Sequence, residues 1–138
     1  MQNNPTLIWV VAAALIDPAG RVLMQRRPAG KAHGGLWEFP GGKVEAAETL
    51  ESALIREIEE ELAIRLDQAA LAPLSFAATD AQPHVVLLYT CSQWHGTATC
   101  QEGGEAGWFA ADELDALDMP PLDRPLARAV QNVLSGRI

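Results

Sequence analysis

Positive charge is scarce in this chain: ten Lys and Arg stand against eighteen Asp and Glu, for a formal net charge of −8. That balance excludes a broad cationic face of the kind that grips duplex nucleic acid. An acidic protein that handles a polyanion needs metal ions to do so. Cysteine is scarce too. Cys91 and Cys100 are the only two in 138 residues, too few for a disulfide scaffold and without the CxxC spacing of a zinc site. A reducing cytoplasm is the expected compartment. Long hydrophobic runs are missing as well. The run Leu7 to Ile16 has no Lys or Arg before it and stops at Asp17, about half the ~20 residues of a membrane span. It reads as a buried strand, with no signal peptide and no membrane anchor expected.

What is present is an ordinary globular balance, 49% hydrophobic and 20% charged residues, far from the polar signature of disorder. The length suits one domain over residues 1–138. After the first strand, Asp17-Pro18-Ala19-Gly20 is a turn signal leading into a second strand, Arg21 to Arg27. A loop from Pro28 to Gly35 precedes the aromatic segment Leu36-Trp37-Glu38-Phe39, which Pro40-Gly41-Gly42 breaks. Thr49 to Leu62 lacks Gly and Pro and is rich in Glu, Leu, Ala and Ile, the composition of a helix. Leu71 to Ala78 and His84 to Trp94 have strand character. His95-Gly96 reads as a two-residue hairpin turn into Thr97 to Gln101. A short strand is expected around Trp108, one or two helical turns over Ala111 to Leu117, and a terminal helix from near Asp123 to Gly136. The economical architecture is α/β, one mixed sheet with helices packed on its faces.

Glu57, Glu60 and Glu61 fall at i, i+3 and i+4, so at ~100° per residue they share one sector of the helix. Leu54, Ile55, Ile58 and Leu62 occupy the sector beside it. Such a helix buries its apolar side on a sheet while holding three carboxylates together. Their mutual repulsion, with Glu59 near the helix C-terminus, gives a purely structural helix nothing. A solvated acidic face is the bland alternative. Gly41-Gly42 just upstream can turn sharply and offer carbonyls, and Glu48 adds an acidic group at the helix entrance. Hard carboxylate oxygens beside a glycine loop suit Mg²⁺, with Mn²⁺ as a substitute, and such an ion holds phosphate oxygens.

Gly42, five residues, Glu48, seven residues, then Arg56-Glu57-Ile58-Glu59-Glu60-Glu61-Leu62-Ala63-Ile64 resembles the Nudix box, with Ala63 where the family has glycine. Leu36 to Glu45 is similar, more narrowly, to the MutT-like branch, which clears oxidised guanine nucleotides from the precursor pool in the service of DNA replication and repair. The resemblance implies an αβα sandwich with a mixed sheet between helices and hydrolysis of a nucleoside triphosphate. It implies Glu57, Glu60 and Glu61 as metal ligands with a Gly41 or Gly42 carbonyl nearby. Arg56 would orient the glutamates and Glu48 would support the loop. Glu102 matches a further ligand from a later loop; its alternative is a hairpin charge. Metal ions would neutralise the triphosphate and activate water for attack on the β-phosphorus. Glu57 is a candidate general base, not separable from a ligand by sequence. Arg27 either meets the triphosphate or is a solvated strand-end arginine.

Met119 to Pro125 resembles the stretch that supplies a polar residue to the base pocket, and Asp123 falls at that place. An ionised carboxylate offers acceptors only, matching the N1–H and N2–H₂ donors of guanine. Asp123 also reads as the N-cap of the final helix, with Pro125 in its first turn. Phe39, Trp37 and Phe76 are candidates for stacking on a base, with burial in the core the commoner role for a strand aromatic. His33, His84 and His95 have no ligand spacing and receive no chemistry. Ala63, if left-handed, costs roughly 1 kcal/mol relative to Gly. The expected substrate is 8-oxo-dGTP. The alternatives are a CTP or dCTP pyrophosphohydrolase, and a binding module that does not hydrolyse, disfavoured because the glutamates are retained. Monomer and homodimer both remain open. The hairpin at His95-Gly96 would set Cys91 opposite Cys100, as two reduced thiols or, under oxidative stress, a strained bridge.

Overall fold

A computed structural model describes residues 6–30, 34–101 and 103–136. The apolar run near the N-terminus becomes β1 (Ile8–Leu15), whose last five residues are buried. A strand with no polar side chain must be covered on both faces, so β1 lies inside the sheet. It pairs in parallel with β7 (Gln82–Cys91) and antiparallel with β4 (Gly41–Lys43), and β7 pairs antiparallel with β6 (Ala72–Thr79). The order β4-β1-β7-β6 is the expected mixed sheet. Other strands stand outside it. β2 (Val22–Arg26) lies between β3 (Trp37–Glu38) and β9 (Glu105–Phe109) in a separate antiparallel sheet, bridged to the β1 end through Ile16 and Val22. β5 (Arg65–Leu66) pairs with β8 (Trp94–His95).

Two helices cover the two faces of the mixed sheet. In α1 (Leu50–Leu62) Thr49 caps the N-terminus, its hydroxyl accepting from the Ser52 N–H at 3.1 Å while the Thr49 N–H donates to Ser52 Oγ at 3.0 Å. Leu54, Ile58 and Leu62 of α1 pack on Val11, Ala13 and Leu15 of β1. On the other face Leu126, Ala127 and Val130 of α2 (Asp123–Leu134) pack on Ala12, Ala14 and Leu88. β1 thus feeds alternate side chains to two cores, the period-2 rule of a strand. The αβα sandwich is therefore the observed architecture. Ala63 ends α1 in the left-handed region, at φ 58° and ψ 32°. No helix among the described residues is long and apolar enough to cross a membrane.

Three expectations need correction. His95-Gly96 is not a hairpin turn: Trp94 pairs with Leu66, and the chain beyond turns to the end of α1. There the Thr99 N–H donates to the Leu62 carbonyl and the Gln101 N–H to the Glu61 carbonyl, each at 2.9 Å. The last carbonyls of a helix have no partner within it, and this segment supplies two. The register that set Cys91 against Cys100 is therefore wrong. Cys91 is buried in β7 beside Leu15, whereas Cys100 Sγ lies 3.8 Å from Gln25 Nε2; both are free thiols. Asp123 is not an N-cap, because α2 begins with it and its side chain is spent elsewhere. Phe76 is no core residue: it is 67% exposed on the edge strand β6.

Candidate active site

The glycines at β4 are fixed by close approach. A Cβ on Gly41 would collide with the Val11 carbonyl of the neighbouring strand, and one on Gly42 would lie within 2.6 Å of both carboxylate oxygens of Glu57. Pairing of β4 with β1 thus brings α1's acidic stripe directly against bare backbone. The Gly41 N–H donates to Glu61 Oε1 at 2.9 Å.

Arg56 organises the rest of the stripe. Its Nε and Nη2 donate to the two oxygens of Glu48 at 2.6 and 2.9 Å, a two-pronged pair of the kind a planar guanidinium favours. Nη1 donates to Glu57 Oε1 at 2.9 Å and reaches Glu60 Oε2 at 3.3 Å, while Nη2 also donates to the Lys43 carbonyl at 3.2 Å. The Arg56 hydrogen bonds, helped by the Glu45 N–H, hold the Glu48 carboxyl down to about 2. Hydrogen bonding to Glu48 in turn raises the Arg56 pKa further above its ordinary range.

Beside this cluster lies a cleft of about 210 Å³. Arg27, Phe39, Gly41, Gly42, Lys43, Pro120, Leu122 and Asp123 line it, over a sheet floor of Val10, Ala12 and Val86. Arg27 Nε donates to Glu38 Oε1 at 2.5 Å. Both residues also line a second hollow together with Glu61, Gln25, Cys100 and Gly104. The Phe39 N–H donates to Asp123 Oδ2 at 3.0 Å. Burial pushes the Asp123 carboxyl up to about 7, against the opposing pull of that N–H. The Phe39 ring itself is 5% exposed and belongs to the core on the α2 face.

The structure therefore brings Arg27, Phe39, Gly41, Gly42 and Asp123 around one cleft and gathers Glu48, Arg56, Glu57 and Glu60 through one guanidinium. Glu61 is tied to Gly41 and faces the second hollow. Glu102 lies outside the described residues. Among those described, no three His, Cys, Asp or Glu side chains close into a cation cage as they stand. Glu57 and Glu60 are drawn to Arg56 and Glu61 to Gly41. The donor set nevertheless fits a hard divalent ion: three carboxylates leave one face of one helix, and the space a Cβ would fill at Gly42 is kept for Glu57. Lys43, Glu38, Gln82 and His84 also line the cleft without having been anticipated. The signal for His84 was parity. It precedes Val86 and Leu88 by two and four residues on β7, so it shares their face of the sheet.

A profile of the NUDIX domain family matches residues 6–130. The chain is 32% identical over 129 residues to a CTP pyrophosphohydrolase of Escherichia coli strain K12, covering 92% of this chain and 94% of that one. It is equally 32% identical, over 126 residues, to an 8-oxo-dGTP diphosphatase of Haemophilus influenzae, covering 91% and 93%. A MutT structure from work on Aliivibrio salmonicida and Vibrio cholerae superposes with a TM-score of 0.83 at 29% identity, over 93% of this chain and 99% of that one.

Proposed function

The chain belongs to the Nudix family and is a nucleotide pyrophosphohydrolase, and on that premise we propose that it hydrolyses 8-oxo-dGTP to 8-oxo-dGMP and pyrophosphate with Mg²⁺. The observation that carries this reading is the make-up of one cleft. A buried carboxylate beside Phe39, the cationic side chains of Arg27 and Lys43, and the glycine backbone at α1 line the same hollow. Those functions together suit the base and the triphosphate of one ligand.

Bound Mg²⁺ would supply charge neutralisation of the phosphates and a water of lowered pKa, held by Glu57, Glu60 and Glu61. The chain's own residues do the rest. Arg56 fixes Glu57 and Glu60 in place, and the Gly41 N–H fixes Glu61. Glu57, pressed against Gly42, is positioned as a general base as well as a ligand. Arg27 meets the triphosphate, and Asp123, when ionised, accepts from the N1–H and N2–H₂ edge of a guanine-type base. The product monophosphate belongs to the clearance of oxidised precursors before they enter DNA.

A second reading, a CTP or dCTP pyrophosphohydrolase, is favoured by one specific observation. Asp123, raised to about 7, is partly protonated at neutral pH and then offers a donor beside an acceptor, which matches cytosine. A pyrophosphate-release assay with Mg²⁺ across 8-oxo-dGTP, dGTP, CTP and dCTP separates the two. We expect the highest kcat/KM on 8-oxo-dGTP; a preference for CTP would replace the first reading with the second. Release from none of them would reject both.

A further inference from the structure

His84 has no place in the reaction described above, yet it stands in the same cleft as Asp123. It sits on β7 opposite Ile8 of β1, two residues before Val86, at the outer end of the sheet face that forms the cleft floor. Its Nδ1 is buried and has no hydrogen-bond partner, alone in this among the side-chain nitrogens and oxygens of the described residues. An unsatisfied buried polar atom costs stability and asks for an explanation. The nearby floor explains nothing, because Val10, Ala12 and Val86 carry no side-chain partner.

A neutral imidazole carries one N–H and one bare nitrogen. A buried N–H without an acceptor is costlier than a buried lone pair without a donor, so the proton belongs on Nε2 and Nδ1 is left bare. The nitrogen that remains for the cleft is then a donor. Asp123 is an acceptor when ionised, and the two arrive from different elements, one from the sheet and one from α2. We propose that His84 is a specificity-determining contact, donating from Nε2 to an oxygen of the nucleoside. The inference rests on the nucleoside lying in the cleft that His84 and Asp123 both line, as argued above. The oxygen is one on the base, such as O8 of an oxidised guanine, or one on the sugar.

The test is calorimetric titration of the metal-free full chain with 8-oxo-dGMP, dGMP, CMP and dCMP, for the unsubstituted protein, His84→Phe and His84→Gln. Phe keeps a planar ring and replaces the orphan nitrogen with carbon, so thermal stability should stay equal or rise. Affinity should fall roughly three- to tenfold, the range of one neutral hydrogen bond. Gln keeps a side-chain N–H and should recover part of the loss. A loss confined to 8-oxo-dGMP identifies O8, one confined to CMP identifies the 2′ oxygen, and an even loss that persists with the corresponding nucleosides identifies a sugar oxygen all four share, each upholding the contact; an even loss that vanishes with the nucleosides places the contact on the phosphate and overturns it. Unchanged affinities in both variants, with the unsubstituted protein binding, overturn the role of His84 alone. If the unsubstituted protein binds none of the four, the nucleotide reading of the cleft falls, and this inference with it.

Discussion

Gly42 and Glu57 occupy what would otherwise be the same space: a Cβ on the glycine would lie within 2.6 Å of both oxygens of the Glu57 carboxylate. The glycine is there for the carboxylate rather than for a turn, since Gly42 has no positive φ. Gly42→Ala should therefore fold and should displace Glu57 from Arg56. A shift of about 1 Å at a reacting group costs roughly 10²-fold in rate. The expected result is a loss of that order in kcat/KM with little change in melting temperature. Near-normal turnover would mean that Glu57 need not occupy this position.

The Glu48–Arg56 pair carries a pH signature. Hydrogen bonds from Arg56 and from the Glu45 N–H hold Glu48 down to about 2 from its ordinary 4.5. A carboxyl whose folded pKa is depressed contributes stability that is complete above the unfolded value and is lost as pH falls through the folded one. Glu48→Gln should thus melt below the unsubstituted protein at pH 7. The gap should hold down to about pH 4.5 and narrow progressively towards pH 2. Thermal melts at half-unit intervals from pH 7 to 3 check this; a gap that does not narrow below pH 4.5 would remove the ion pair as its source.

The acidic helix and the Nudix pattern were legible because both are local. Glu57, Glu60 and Glu61 follow from helical spacing, and the extent of α1 follows from a stretch, Thr49 to Leu62, that lacks Gly and Pro. What failed was pairing at a distance. Whether Trp94–His95 turns back on Thr97 or pairs with Arg65–Leu66 depends on the carbonyls that α1 leaves unpaired at Leu62 and Glu61. No window around His95 contains that information. The displaced Cys100 and the exposed Phe76 follow from the same limit. Asp123 looked like a cap because it precedes an apolar stripe; only the approach of the Phe39 N–H, from far away in sequence, reveals what its carboxylate does.

Ala63 is the one place where this chain departs from the Nudix box, and its backbone is left-handed at φ 58°. A Cβ in that region costs about 1–2 kcal/mol, and glycine's larger unfolded-state entropy takes back part of the gain. Ala63→Gly should stabilise the protein by about 1 kcal/mol, raising the melting temperature by a few degrees. Activity should not change, because residue 63 lines neither hollow. A lower melting temperature would show that the alanine methyl makes packing contacts worth more than the backbone strain.

Asp123 should make both stability and base preference depend on pH, in directions fixed by its burial. Its carboxyl is raised to about 7 from 3.8, mainly by desolvation. A group raised in the folded state contributes stability that is complete below the unfolded value and is lost as pH climbs through the folded one. From about pH 4 to 7 the protein therefore gives up stability at this site, at most roughly 4 kcal/mol for three pKa units. Asp123→Asn removes the titration, so its melting temperature should vary less over that interval. Base preference follows the same group. One oxygen is engaged by the Phe39 N–H at every pH, so the proton decides whether the remaining edge donates. Below pH 7 the protonated form suits the adjacent donor and acceptor of cytosine; above it the carboxylate suits the paired donors of guanine. The ratio of kcat/KM for 8-oxo-dGTP to that for dCTP should rise by up to roughly a hundredfold from pH 6 to 8, about 2.7 kcal/mol, and should stay flat in Asp123→Asn. A ratio that is flat in the unsubstituted protein would take Asp123 out of base recognition, leaving its carboxylate only as the acceptor that fixes Phe39.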